Sequence, residues 1–139
     1  MKSFFIVLIT CLLVVLTSLP LQAQVIKDYK TKTTANHTER SKILDLLRAE
    51  IYRRHKQEVQ FVVEKLNVQG EYAWFQGQVQ RKDGKEFEIA GEADCCHVEA
   101  LLRNKNGKWY IDEMAAFTTD VWWDGIWEEK KLSRQLFVH

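Results

Sequence analysis

Proline is almost missing from this 139-residue chain: the one residue, Pro20, stands just after the N-terminal apolar run. Cysteine is scarce as well, with three residues, of which Cys11 lies inside that run and Cys95 and Cys96 are neighbours. Two adjacent cysteines do not build the disulfide framework that staples very small secreted domains, so the core must hold the fold. A surplus of charge is lacking too: with Lys2 set aside, the 20 Lys and Arg fall level with the 19 Asp and Glu. A balanced chain without long basic runs excludes general nucleic-acid or anionic-membrane binding, and Arg81-Lys82 and Lys130-Lys131 are too short to change that. No Gly-rich phosphate loop, serine-nucleophile motif, zinc-protease helix or internal repeat occurs, so no cofactor is implied.

The first residues have a targeting pattern. Lys2 precedes an apolar run from Phe4 to Leu16, about 13 residues, short of the ~18–20 that span a bilayer. Ser18-Leu19-Pro20 breaks the run and Leu21-Gln22-Ala23 offers a small residue for cleavage. The expected organisation is a signal peptide over 1–23, a flexible lead-in over 24–37 and a single α+β domain over 38–139, exported to the periplasm or the exterior with no stable membrane span after cleavage. Cys11 is not a lipid-attachment site, because Leu12 to Leu16 continue the apolar run beyond it. Asn36-His37-Thr38 fits the N-glycosylation sequon.

Apolar spacing predicts one helix over 38–55. Ile43, Leu46, Leu47 and Ile51 form its stripe, and Thr38 or Ser41 caps it. The period then falls to two. Val59 to Val68 reads as a strand with a slip of one near Glu64-Lys65, the mark of a bulge. Further strands are expected over 72–80, 86–89, 95–103 and 109–116. The turns between them fall at Gln69-Gly70, Lys82-Asp83-Gly84-Lys85 and Asn104-Lys105-Asn106-Gly107. Helix first, then an antiparallel meander, predicts an α+β domain with one amphipathic helix packed on a curved antiparallel sheet of four to five strands. Thr118 to Leu132 is a tail dense in tryptophan and charge, and residues 135–139 are expected to be loose or to add a short edge contact.

The helix, Tyr72-Ala73-Trp74-Phe75 and the hairpin Ala100-Leu101-Leu102-Arg103-Asn104-Lys105-Asn106-Gly107-Lys108-Trp109-Tyr110-Ile111 resemble cystatin-like and nuclear transport factor 2-like (SnoaL-like) proteins. The chain also resembles exported bacterial proteins with a Cys-Cys hairpin and an Asp-Val-Trp-Trp ending. The resemblance spans most of residues 40–127 and implies a cystatin-like roll. It implies no activity, since these folds host enzymes, inhibitors and binders alike.

Three places hold potential chemistry. Cys95-Cys96-His97 offers a redox pair or a soft site for a metal such as Cu(I) or zinc, against one buried and one partly covered inert thiol. A metal site needs three or four converging ligands, and no second Cys/His cluster is visible. Glu92, Asp94, His97 and Glu99 offer an acid/base group, with Asp94 and His97 as a dyad, against a plain solvated strand face. Trp122, Trp123 and Trp127 with Asp120 and Asp124 offer rings and acids for a sugar or peptide, against a tail that folds back to close one end of the core. In an extended segment Trp122 and Trp123 would point to opposite sides. The favoured expectation is a non-enzymatic exported domain binding a protein, peptide or cell-envelope ligand through the open side of the sheet and the tail. The rivals are a small acid/base enzyme around Asp94 and His97, and a thiol redox or metal-handling protein using Cys95 and Cys96.

Overall fold

The computed structural model describes residues 24–91 and 95–138; the expected signal peptide over 1–23 lies outside them. Among the described residues the fold is α+β: one long helix, a short helix Ile126–Glu129, a 3-10 turn Arg134–Leu136 and one open, five-stranded antiparallel sheet. The strands are β1 (Lys27–Asp28), β2 (Val59–Gln69), β3 (Tyr72–Arg81), β4 (His97–Lys105) and β5 (Lys108–Ala116), in the order β1-β2-β3-β4-β5. Among the described residues no helix is long and apolar enough to cross a membrane.

Helix α1 (His37–His55) buries Ile43, Leu44, Leu47 and Ile51. At 100° per residue these four share one face, whereas Leu46 falls about a third of a turn from its centre and is only half-buried. Leu44 therefore takes the core place expected of Leu46. The helix has its cap two residues before Thr38 and five before Ser41, the two expected positions. Its N-cap position is Asn36, whose Oδ1 accepts from the Thr33 N–H at 2.9 Å and whose Nδ2 donates to the Thr31 carbonyl at 2.9 Å. That sequon asparagine is buried, with its amide spent on the chain itself. At the other end Lys56 adopts φ 57° and its N–H closes on the Tyr52 carbonyl, so the helix stops in a left-handed turn.

Strand alternation places Phe75, Val79, Val98, Ala100, Leu102, Leu66 and Val68 against α1, in one core. The lead-in joins this core. β1 pairs Lys27 with Val68 and Asp28 with Asn67, Tyr29 is buried, and its hydroxyl donates to Glu39 Oε2 at 2.6 Å. The bulge near Glu64-Lys65 is present: Val63 pairs with Gly77 and Lys65 with Gln76, leaving Glu64 unpaired. A second bulge at Asp112 lies between the pairs Leu101–Glu113 and Leu102–Ile111. The Asn106-Gly107 turn has φ 53° and 81°, both positive as a two-residue hairpin turn requires.

The strand expected over 86–89 is not formed. Residues 82–91 make a loop that returns to the end of α1 instead of pairing in the sheet. The Gln57 side chain replaces a neighbouring strand there, donating to the Glu88 carbonyl at 2.7 Å and accepting from the Glu88 N–H at 3.0 Å. Phe87 is pinned at the same place, its ring 5.4 Å from His55 and 5.2 Å from Phe117. With those groups satisfied locally, Asp83-Gly84 serves as a turn without a hairpin. The fifth strand of the sheet is β1.

The tail builds a second core on the other face of the sheet, instead of closing an end of the first. Trp74 and Leu101, fully buried, are covered by Ile126, Leu136 and Phe137, with Trp122, Trp123, Trp127, Leu132 and Val138 around them. Residues 134–138 are not loose. Lys65 Nζ donates to the Phe137 carbonyl at 2.8 Å, Asn67 Nδ2 to the Leu136 carbonyl at 3.0 Å, and Gln69 Oε1 accepts from the Ser133 N–H at 3.1 Å. Burial holds the Lys65 amine below the usual lysine range. Lys130 adds a further tie, reaching Asp112 at 2.9 Å and Glu113 at 3.5 Å.

Candidate functional site

The tail covers only the end of this outer face that carries Trp74 and Leu101. Towards the start of β4 the same face turns polar: Gln76 and Gln78 on β3, His97 and Glu99 on β4, and Glu64 on β2. Alternation alone puts Gln76, Gln78, His97 and Glu99 there, because their strand neighbours face α1. Glu64 joins them through the bulge, whose extra residue is free of the ladder.

These side chains form one connected network. His97 Nε2 lies 3.1 Å from Glu99 Oε1, which also accepts from Gln76 Nε2 at 2.8 Å. On the other edge of the ring, Gln78 Nε2 lies 3.3 Å from His97 Nδ1 and donates to Glu64 Oε1 at 3.0 Å. Glu64 Oε2 is 3.8 Å from Nδ1. The two hydrogens of the Gln78 amide satisfy both acceptors if Nδ1 carries a lone pair, so the neutral ring holds its proton on Nε2, facing Glu99. Glu99 is only 7% exposed. A carboxylate so placed needs its partners, and it has two.

Above this floor stands the chain that leaves β5. Gln78, Cys95, His97 and Glu99 face Thr118, Thr119, Asp120, Val121 and Trp123 across a cavity of about 500 Å³. Sites of roughly 300–1,000 Å³ suit small ligands. The lining pairs an aromatic ring and an exposed apolar residue with two carboxylates, an imidazole, an amide and two hydroxyls.

The basin gathers five of the expected residues from two distant stretches of sequence: Cys95, His97 and Glu99 from one, Asp120 and Trp123 from the other. Trp122 and Trp127 are in the outer core instead, half-buried. Both Trp122 and Trp123 reach Trp74, at 5.7 and 5.6 Å between centroids, because residues 122–125 turn and do not extend. Trp123 thus serves both places, stacking on Phe137 at 6.0 Å while lining the basin. Asp124 is exposed and outside the lining. Asp94 and Glu92 lie outside the described residues, so within them the partner of His97 is Glu99. Glu64, Gln76, Gln78, Thr118 and Thr119 are additions that sequence reasoning missed. Only the slip at Glu64 carried a signal, and it was readable as a bulge without its purpose.

Cys95 and Cys96 are joined by a disulfide. Cys95 is exposed, and besides the basin it lines a second cavity of about 560 Å³ with Cys96, Val79, Arg81, Lys85 and Phe87. Among the described residues no group of three or more His, Cys, Asp or Glu side chains is arranged to hold a metal ion. Compared with protein-family models, curated proteins and solved structures, the chain matches none.

Proposed function

We propose that this chain is an exported, non-enzymatic binding domain, built as a roll of the cystatin-like and nuclear transport factor 2-like kind, which holds a small saccharide of the cell envelope in the outer basin. The observation that carries this reading is the convergence of Trp123 and Asp120 from the tail with Gln78, His97 and Glu99 from the sheet around one cavity. A sugar offers an apolar ring face to an indole and hydroxyls to carboxylates, amides and hydroxyls. A cavity of about 500 Å³ admits one or two sugar rings and is too small for a protein surface. Export rests on the apolar run at residues 4–16 followed by Leu21-Gln22-Ala23. The roll is supported by the order of one helix followed by an antiparallel meander.

Calorimetric titration of the mature chain with neutral and amino-sugar disaccharides tests the reading. Asp120→Ala and Thr118→Val are suitable variants, since Asp120 is exposed and Thr118 lies off the sheet. Each is expected to weaken binding about tenfold, the loss of one good hydrogen bond or two. Heat of binding that is absent for every disaccharide, or unchanged in both variants, refutes it.

A second reading has one observation in its favour, the 3.1 Å contact between His97 Nε2 and Glu99 Oε1. A carboxylate that orients an imidazole is the arrangement of a general acid/base. This version replaces Asp94 with Glu99. It predicts turnover of the bound saccharide that His97→Gln abolishes while binding persists; the binding-only reading predicts no turnover in either protein.

A further inference from the structure

The disulfide lies where the strand pattern says a strand belongs. Cys96, Val98, Ala100 and Leu102 alternate toward α1, and Cys96 packs against that core. Yet β4 begins only at His97. In a continuing strand, neighbouring side chains point to opposite faces, so two adjacent residues cannot share a bond between their side chains. The Cys95–Cys96 bond and an extended β4 are therefore alternatives for the same two residues.

The bond is also reachable and connected. Cys95 is exposed and forms part of the wall of both cavities. Among the described residues Lys85, Glu86 and Arg81 line the second one, with the Arg81 guanidinium paired to Asp83, so Lys85 offers an ammonium to an approaching thiolate. Just beyond the bond, the Cys96 carbonyl accepts from the Val79 N–H at 2.8 Å, and the His97 carbonyl from the Phe117 N–H at 2.7 Å. Phe117 leads directly into Thr118–Trp123, the far wall of the basin. A change of backbone at Cys95-Cys96 thus reaches β3 through one hydrogen bond and the basin wall through another.

We infer that Cys95–Cys96 is a thiol–disulfide exchange site for a dithiol partner, and that its redox state decides where β4 starts. A thiolate of the dithiol attacks Sγ of exposed Cys95, forming a mixed disulfide and releasing Cys96 as a thiolate. The second thiolate of the partner then attacks its own sulfur in that mixed disulfide and releases Cys95. The two cysteine thiolates take up the two protons that the dithiol gave. The partner ends as a disulfide, and two electrons have passed to the chain. Reduced, residues 95 and 96 are free to alternate and extend β4 toward its N-terminal end. This inference does not depend on what the basin binds.

Mature chain purified without reductant, treated briefly with dithiothreitol and alkylated without denaturant, tests the exchange by mass spectrometry. Two alkyl groups are expected on Cys95 and Cys96 after treatment and none before, with the circular dichroism of the fold kept. Free thiols before treatment overturn the inference, as does a bond that yields only after denaturation. Amide hydrogen exchange reads the structural half. Reduction is expected to slow exchange over residues 95–98 and to alter it over 117–121, and the Cys95→Ser/Cys96→Ser variant is expected to match the reduced protein. Should that variant not fold, reduced wild type carries the comparison alone. Identical exchange in the oxidised and reduced proteins refutes the coupling.

Discussion

Replacing Phe137 by alanine asks whether the end of the chain is part of the fold. Its ring is 1% exposed, 4.8 Å from Trp74, 5.8 Å from Trp127 and stacked 6.0 Å from Trp123. Truncating a buried Phe costs about 3–5 kcal/mol, through lost transfer energy and the cavity left behind. A site near the chain end relaxes more than one in mid-sheet, which favours the lower limit, about 3 kcal/mol. That is a large part of the roughly 5–15 kcal/mol that holds an ordinary domain together. With a urea slope of ~1–3 kcal/mol/M, the midpoint falls by about 1–3 M. Urea unfolding of residues 24–139, followed by both far-ultraviolet dichroism and tryptophan fluorescence, gives the number. A loss below about 0.5 kcal/mol, the size of an ordinary surface substitution, contradicts a second core on the outer face and restores the loose tail.

Two further substitutions test the scaffold. Gly77→Ala puts a Cβ 2.6 Å from the Val62 carbonyl oxygen and 2.8 Å from the Phe75 ring. A backbone atom beside a bulge cannot step aside, so a loss of about 1–3 kcal/mol is expected in the same urea assay, with the network around Glu64 disturbed; a neutral result contradicts the register at the bulge. Glu50 accepts from Arg53 and Arg54, and those guanidiniums hold its carboxyl down at about 2 from an ordinary 4.5. A depressed folded pKa gives stability that is present above pH ~4.5 and drains away as pH falls toward 2. The exposed partners limit it to about 0.5 kcal/mol. Stability curves of wild type and Glu50→Gln should therefore converge over that acid window, and parallel curves refute the pairing.

The helix and the meander were legible because their information is periodic. Three of the four stripe residues expected on α1 (Ile43, Leu47 and Ile51), alternation along β2 to β5, the slip at Glu64 and the Asn106-Gly107 turn are each local, and each is found. What failed depends on contacts distant in sequence. Glu86 to Ile89 has the composition of a strand, but Gln57, 31 residues away, satisfies Glu88 better than a sheet neighbour does. Lys27 and Asp28 carry no strand signal, and they pair only because the edge of β2 is open beside them. The tryptophans of the tail announced burial without saying against what. Their partner, Trp74, faces away from α1 by alternation, and only a covered outer face explains a buried indole there. The basin was the least legible. Gln76, Gln78 and Glu64 read as an ordinary wet strand face, and only the segment 118–123 standing across from Gln78, His97 and Glu99 makes a basin of it.

The central claim is that this basin, and no other surface, receives the ligand. Chemical-shift mapping on isotope-labelled residues 24–139, titrated with the disaccharide that gives the strongest heat, tests it most directly. Perturbations clustered at Gln78, His97, Glu99 and Thr118–Trp123 are predicted. Perturbations centred on α1, the 82–91 loop or the free edge of β5, with the basin silent, contradict the account.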